Sequence, residues 1–359
     1  MKVLNIGYGK QELRGLYEKG SLSSRLLYGV VQLADRYDFQ DVSLPSGGGL
    51  RDVIKANLLT LQRADALFMS YLYEGPLLLL ALLRCLGFYR RRCIVVISHH
   101  ALKRPSNLLS RIAHRLVYRT IDNVMFHSEK NLDESVQNGL ISRRRATFFY
   151  WGDDLTFVDR TYKPSWGSYL ISTGREQRDY ATLIDAVKEC NVPLEIYTNR
   201  TNYANDYSFL EQVQGQYPNV SISFVEKDND TTLLLGQRTA GALAVVIPLL
   251  RDQLTYCVGL TSIVEAMAMG KPVITTRNPY SPVDIEREGI GLIVDDEASW
   301  RQAILYLSEH PDEARRMGKR ARQLAERKFN IEATARALDG IFKRLKSKKI
   351  KNYALCIKN

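Results

Sequence analysis

Two short stretches of this sequence concentrate groups able to hold an anion. The first, Thr173-Gly174-Arg175-Glu176-Gln177-Arg178-Asp179-Tyr180, follows the apolar run Tyr169 to Ser172 and precedes Leu183, Ile184 and Val187 at helical spacing. A glycine at a strand end followed by Arg175 and Arg178 sets two guanidinium forks beside a helix N-terminus. There the macrodipole and the side chains both favour phosphate oxygens, a diphosphate in particular. The same residues also read as a surface turn in which the arginines pair with Glu176 and Asp179. The second stretch, Gly259-Leu260-Thr261-Ser262-Ile263-Val264-Glu265, follows the run Leu243 to Ile247. Ser262 and Glu265 fit a capping box, in which the carboxylate merely closes the first helical turn. A carboxylate at that place facing a cleft equally accepts hydrogen bonds from the two hydroxyls of a ribose, while the amides around Thr261 and Ser262 suit phosphate.

A third feature is His99-His100 at the end of the apolar run Cys93 to Ser98. Two histidines at a strand terminus are conceivable metal ligands, but no third ligand lies nearby in sequence, and loop histidines satisfied by their surroundings are the plainer account. No nucleophile and base pair stands out. That suits chemistry in which positioning and electrostatics carry the rate, without the paired carboxylates of a sugar hydrolase.

These residues need elements to hold them, and the sequence supplies a regular alternation. Strand-like runs are expected at Val3–Ile6, Ala66–Ser70, Cys93–Ser98, Asn123–His127 and Ala146–Tyr150, then at Tyr169–Ser172, Leu194–Thr198, Ser221–Val225, Ala242–Ile247, Lys271–Thr275 and Gly291–Val294. Helix-length segments separate them. Such β-α units build parallel sheets with helices on both faces, and two sets in series predict an α/β protein of two Rossmann-like domains. Turn residues at Gly152-Asp153-Asp154, Pro164 and Trp166-Gly167 mark the boundary. The expected division is residues 1–155, residues 165–328, a C-terminal helix 329–346 packing back on the first domain, and a frayed basic tail 347–359. Open parallel sheets bind ligands beyond the carboxyl ends of their strands, so the active site is expected in the interdomain cleft.

With 359 residues, 45% apolar and 25% charged, the chain has material for two cores and is neither fibrous nor disordered. Its five cysteines form no close pair, which fits a reducing compartment, and the N-terminus does not resemble a signal peptide. The longest apolar stretch, Leu77 to Leu83, is far too short for a membrane span, so a cytoplasmic protein is expected. The net charge of +11 is concentrated: residues 1–150 hold 22 Lys and Arg against 12 Asp and Glu. Arg90-Arg91-Arg92, Arg143-Arg144-Arg145 and the tail residues Lys343, Arg344, Lys346, Lys348, Lys349, Lys351 and Lys358 add basic clusters. Residues 103–119 place Leu108, Leu109, Ile112, Leu116 and Val117 on one helical face and basic residues elsewhere. That helix either packs its apolar face on the sheet, lies on an anionic membrane, or does both. A nucleic-acid partner is not expected, for the chain has no zinc module, aromatic RNA-binding strand or recognition helix. Gly7-Tyr8-Gly9 lacks the third glycine of a dinucleotide site.

The segment from Gly259 to Thr276, with Glu265-Ala266-Met267-Ala268-Met269-Gly270-Lys271-Pro272-Val273-Ile274, resembles the C-terminal signature of the retaining GT-B glycosyltransferases, family 4-like, or glycosyl transferases group 1. Gly174-Arg175 with Arg178-Asp179-Tyr180 resembles that family's diphosphate-binding turn. Gly289 to Val294 resembles its late glycine-rich strand, and Tyr150 to Asp154 its hinge. The likeness spans residues 145–330. It implies a donor site of Gly174, Arg175, Arg178, Gly259, Leu260, Thr261, Ser262 and Glu265. In that site Arg175 and Arg178 hold the diphosphate, Arg178 standing where lysine is usual, and Glu265 binds the ribose. It further implies that His99, which matches better than His100, reaches the donor sugar or the reacting oxygens. The sequence departs in two places: Cys257 stands where the family commonly has a glutamate near the sugar, and the turn after Gly174 is shorter. The implied activity is transfer of a sugar, with retention, from a nucleotide-diphosphate sugar to a glycan or lipid-linked acceptor, with neither metal nor cofactor beyond that co-substrate. The alternative is a catalytically weak GT-B protein that serves as a binding or scaffold subunit.

Overall fold

The computed structural model describes residues 1–47, 49–202, 205–226 and 228–357, with the side chains of 202, 229 and 349–357 outside the description. Tyr203, Ala204 and Lys358 of the basic tail therefore lie outside it. The chain divides into two compact units, Met1–Trp151 with Ile331–Asn359, and Gly152–Asn330.

Unit 1 runs β1 (Lys2–Gly7), α1 (Lys10–Glu18), β2 (Asp38–Ser43), α2 (Leu50–Thr60), β3 (Ala66–Met69), α3 (Glu74–Cys85), β4 (Cys93–Ser98), α4 (Leu108–Thr120), β5 (Asn123–Phe126), α5 (Glu129–Gln137) and β6 (Ala146–Phe148). Its strands form a parallel sheet in the order β2-β1-β3-β4-β5-β6. Every residue of β3, β4 and β5 is buried, as expected of central strands covered on both faces, and this is why they read as unbroken apolar runs. Strand β2 was not expected. Its sequence, Asp-Phe-Gln-Asp-Val-Ser, is mostly polar because it lies at the sheet edge and is only partly buried.

Unit 2 opens with α6 (Leu155–Thr161) and continues through β7 (Leu170–Thr173), α7 (Tyr180–Val187), β8 (Leu194–Thr198), the short pair β9 (Thr201–Asn202) and β10 (Asn205–Asp206), α8 (Leu210–Val213), β11 (Val220–Phe224) and α9 (Asn229–Gly241). It closes with β12 (Ala244–Ile247), α10 (Leu260–Ala268), β13 (Val273–Thr276), β14 (Gly291–Val294), α11 (Glu297–Glu309) and α12 (Pro311–Arg327). The second parallel sheet has the order β11-β8-β7-β12-β13-β14. Two six-stranded parallel sheets flanked by helices are the GT-B architecture of paired Rossmann-like domains.

After Phe329 and Asn330 the last helix, α13 (Ile331–Ile357), returns to unit 1, where Asp339 accepts bonds from Arg36 and Tyr37 at 2.9 and 2.7 Å. The tail expected to fray after Lys346 instead continues this helix to Ile357, lysine being a good helix former. Among the described residues no helix is long and apolar enough to cross a membrane.

Candidate functional site

In unit 2 the expected phosphate-binding turn is held from two sides. Asp179 and Leu250 donate backbone bonds to Pro248 and Gln177, and Arg178 and Leu249 form an antiparallel bridge. The turn at the end of β7 is thereby zipped to the segment after β12. Gln177 sits at a φ of 51°, held by Asn205, whose Oδ1 accepts its N–H at 2.8 Å. Tyr180, wholly inside the core, donates its hydroxyl to Gly174 O at 2.6 Å, and Asp179 caps α7 by accepting from Thr182.

Arg178 is buried in this frame. Its backbone N–H donates to the Tyr207 hydroxyl at 2.9 Å and its Nη1 to Glu176 O at 2.7 Å, while its Nε is buried with no hydrogen-bond partner. An unsatisfied guanidinium nitrogen out of water is costly, and a phosphate oxygen would satisfy it. Gly174 makes the room: a Cβ there would lie 2.0 Å from Arg178 Nε. Gly174→Ala is therefore expected to push the guanidinium aside and to cost about 1–3 kcal/mol in urea unfolding. An unchanged midpoint would mean that the arginine has somewhere else to go. Arg175 is less confined and turns toward β11, its Nη2 donating to Glu226 O at 3.3 Å. Both acids of the turn are engaged elsewhere as well. Glu176 accepts from Tyr256, and Asp179 caps α7.

Helix α10 begins earlier than the capping-box reading assumes. Its N-cap is Gly259, at a φ of 88°, with no side-chain cap. Ser262 is thus the third helical residue, and its Oγ donates to Thr173 O at 3.2 Å, which ties the helix start to the strand end before Gly174. Glu265 is not a capping residue. It lies one helical turn beyond the exposed Thr261, on the same outward face, and is half-buried. Gly174, Arg178, Gly259, Leu260 and Ser262 are therefore gathered at one end of the sheet, with Thr261 and Glu265 on the outer side of α10. Cys257 is buried and burial pushes its thiol up to about 12, so it stays neutral and carries no charge.

In unit 1, His99 follows β4 and His127 follows β5, and the pairing of Ser98 with Phe126 sets the two side by side. Their ring centroids are 4.8 Å apart. Tyr71 stacks on His99 at 4.8 Å, and the Tyr28 hydroxyl lies 3.3 Å from His99 Nε2. Tyr28 stacks in turn on Trp151. Burial, then the neighbouring His100, lowers His99 to about 4, and burial with His99 lowers His127 well below the usual histidine range. Both rings are neutral at pH 7. Neither nitrogen of His127, nor Nδ1 of His99, has a hydrogen-bond partner. Lys10, the first residue of α1, is buried nearby with its ammonium 5.5 Å from the Tyr28 ring centre and 3.4 Å from Leu26 O, and burial lowers it to about 8. His100 is engaged differently, its carbonyl accepting from Ser98 Oγ at 2.7 Å. Among the described residues no His, Cys, Asp or Glu side chains gather as a metal site.

Sequence reasoning missed Lys10, Tyr28, Tyr71 and His127 around His99, and Tyr207 beneath Arg178. His127 carried a signal: it ends the strand next to the one that His99 ends. Tyr28 and Tyr207 carried none, since irregular segments bring them in.

Residues 258–324 match the family model described as glycosyl transferases group 1. No curated protein matches the chain by sequence. Among solved structures, the chain is similar to Alr3699/HepE of Anabaena, solved in complex with UDP, at 16% identity and a TM-score of 0.68, over 96% of this chain and 100% of that one. It is similar to a glycosyltransferase from Rickettsia africae at 13% identity and a TM-score of 0.69, over 96% and 98%. It also resembles a UDP-GlcNAc 2-epimerase from Neisseria meningitidis, bound to UDP-GlcNAc, at 12% identity and a TM-score of 0.57, over 96% and 100%. These likenesses establish a shared fold that serves both transferases and epimerases.

Proposed function

We infer that this chain, a glycosyltransferase of GT-B fold, binds a nucleotide-diphosphate sugar in unit 2 and passes the sugar, with retention, to a glycan or lipid-linked acceptor served by unit 1. The single observation that carries this reading is the buried Arg178, with its Nε unsatisfied against Gly174, beside the uncapped start of α10. Arg178 and the amides of Thr261 and Ser262 hold the diphosphate, with Arg175 at its margin, and Glu265 holds the ribose hydroxyls. The bond between the sugar's anomeric carbon and the diphosphate breaks, and the electron pair leaves with the diphosphate, where the arginine and the helix dipole stabilise it. The acceptor oxygen forms the new bond on the face that the diphosphate leaves and passes its proton to the departing diphosphate oxygen. Neutral His99, fixed by Tyr28 and Tyr71, hydrogen-bonds to the donor sugar or the reacting oxygens. The work belongs to polysaccharide or glycoconjugate synthesis at the cytoplasmic face of an anionic membrane. The match over residues 258–324 favours transfer over epimerisation on this shared fold.

Thermal shift with UDP-, GDP-, ADP- and CMP-sugars tests donor binding, since a ligand at ~100 times its dissociation constant adds roughly 2.7 kcal/mol of stability. One nucleotide is expected to raise the melting temperature and to be released as its diphosphate on turnover. Donor binding with no release under any acceptor would favour the scaffold reading, and no binding at all would sink both. Glu265→Gln is expected to weaken donor binding by roughly 10- to 100-fold, matching about 1.5–3 kcal/mol for hydrogen bonds to a charged group, with little change in kcat.

A further inference from the structure

The amphipathic helix α4 does not use its apolar face as a Rossmann helix ordinarily would. Val117 and Tyr118 are buried, but Leu108, Leu109 and Ile112 are 67%, 81% and 57% exposed. The register of α4 against α3 gives the reason. Glu74, the first residue of α3, accepts from Tyr118 at 3.0 Å and lies 3.8 Å from His114 Nδ1, while Arg84 near the far end of α3 donates to Thr120 O at 2.8 Å. The two helices run parallel, and α3 begins level with His114. The six steps from Leu108 to His114 rise ~9 Å at 1.5 Å each, so the first turns of α4 project past α3, and among the described residues none covers Leu108 and Leu109, which stay largely exposed. Asn107 caps this projecting end by accepting from Ser110 N at 2.8 Å, so it is a formed helix.

Helix α4 and the segment leading into it are strongly basic. Residues 103–119 hold Lys103, Arg104, Arg111, Arg115 and Arg119 and no acid, and all five are exposed. Three large apolar side chains ringed by cations match a surface with anionic headgroups over hydrocarbon. The helix starts beyond the carboxyl end of β4, the end at which His99 lies.

We propose that the projecting first turns of α4 dock the protein on an anionic lipid bilayer, Leu108, Leu109 and Ile112 entering the headgroup boundary while the surrounding lysine and arginines engage lipid phosphates. The proposal deepens the acceptor side of the reading above and rests on it for its purpose, since docking at this end brings a lipid-linked acceptor to the histidines. The full chain is sedimented, without nucleotide, with vesicles of phosphatidylcholine alone and of phosphatidylcholine with phosphatidylglycerol. Binding is expected only to the anionic vesicles and is expected to fall as salt is raised. Arg111→Gln with Arg115→Gln should weaken it roughly 30-fold, about 2 kcal/mol at ~1 kcal/mol per basic residue near the surface. Leu109→Ser with Ile112→Ser should weaken it as well, and because these side chains are exposed the melting temperature should hold. Equal binding to both vesicles, no binding, or indifference to both double variants overturns the proposal. So does self-association in solution that Leu109→Ser with Ile112→Ser abolishes, which would make this face a contact between copies. Arg178→Ala should leave vesicle binding intact, so failure of the donor reading and failure of the docking surface are told apart.

Discussion

Arg178→Ala is expected to lower kcat/KM for the nucleotide-sugar donor by roughly 10²- to 10³-fold, the scale of losing one preorganised donor to a developing negative charge. The size follows from burial. Arg178 is 6% exposed, held by Tyr207 and Glu176, and packed on Gly174, so its charge acts where water screens it least. Arg178→Lys should recover only part of the rate, because a lysine keeps the charge and loses the fork that supplies Nε. Arg175→Ala should cost less, since that side chain is half-buried and already directs its Nη2 at the Glu226 carbonyl. The measurement is steady-state release of nucleoside diphosphate with each variant, read as kcat and KM separately. Equal losses for the two arginines would contradict the asymmetry that the structure gives them, and an unaffected Arg178→Ala would remove the donor site.

Acid should destabilise the protein well before its carboxylates titrate, and the cause is the pair of neutral histidines. His99 is lowered from 6.5 to about 4 in the fold, and His127 lies well below the ordinary value. The unfolded chain therefore binds more protons than the folded one between about pH 6.5 and pH 4, and stability falls as pH falls through that window. Above it both states are neutral at these residues and the contribution is complete. For His99 alone the loss by pH 4 is about 3 kcal/mol, at 1.36 kcal/mol for each pH unit of displacement. Urea midpoints across this range should fall steeply for the native sequence and less for His99→Gln or His127→Gln, which keep a polar side chain without the proton. Parallel curves for all three would show that the rings protonate in place. In the proposed reading the same neutrality bears on activity, for His99 then meets the sugar as an imidazole rather than a cation.

The sheets were legible in the sequence where burial is complete. Strands such as Cys93–Ser98 and Ala244–Ile247 are apolar because helices cover both faces of these inner strands. The edge strand β2 was hidden by the converse: half-solvated, it carries aspartates and a glutamine that read as loop. The glycine and arginines at Gly174 were visible as residue types. Their different fates were not, since Arg178 goes inward and Arg175 outward through bonds to Tyr207, Glu176 and Glu226, from loops that periodicity cannot place.

By itself the sequence determined the two parallel sheets, the anion-seeking residues at their carboxyl ends and the basic character of the first unit, because hydrophobic period and charge are local properties. Only the tertiary structure decided which of those residues lose water. It set Arg178 against Gly174 with an unsatisfied nitrogen, put His127 beside His99, and left the start of α4 uncovered. Desolvation depends on neighbours from distant parts of the chain, and it is desolvation that turns a common side chain into a site.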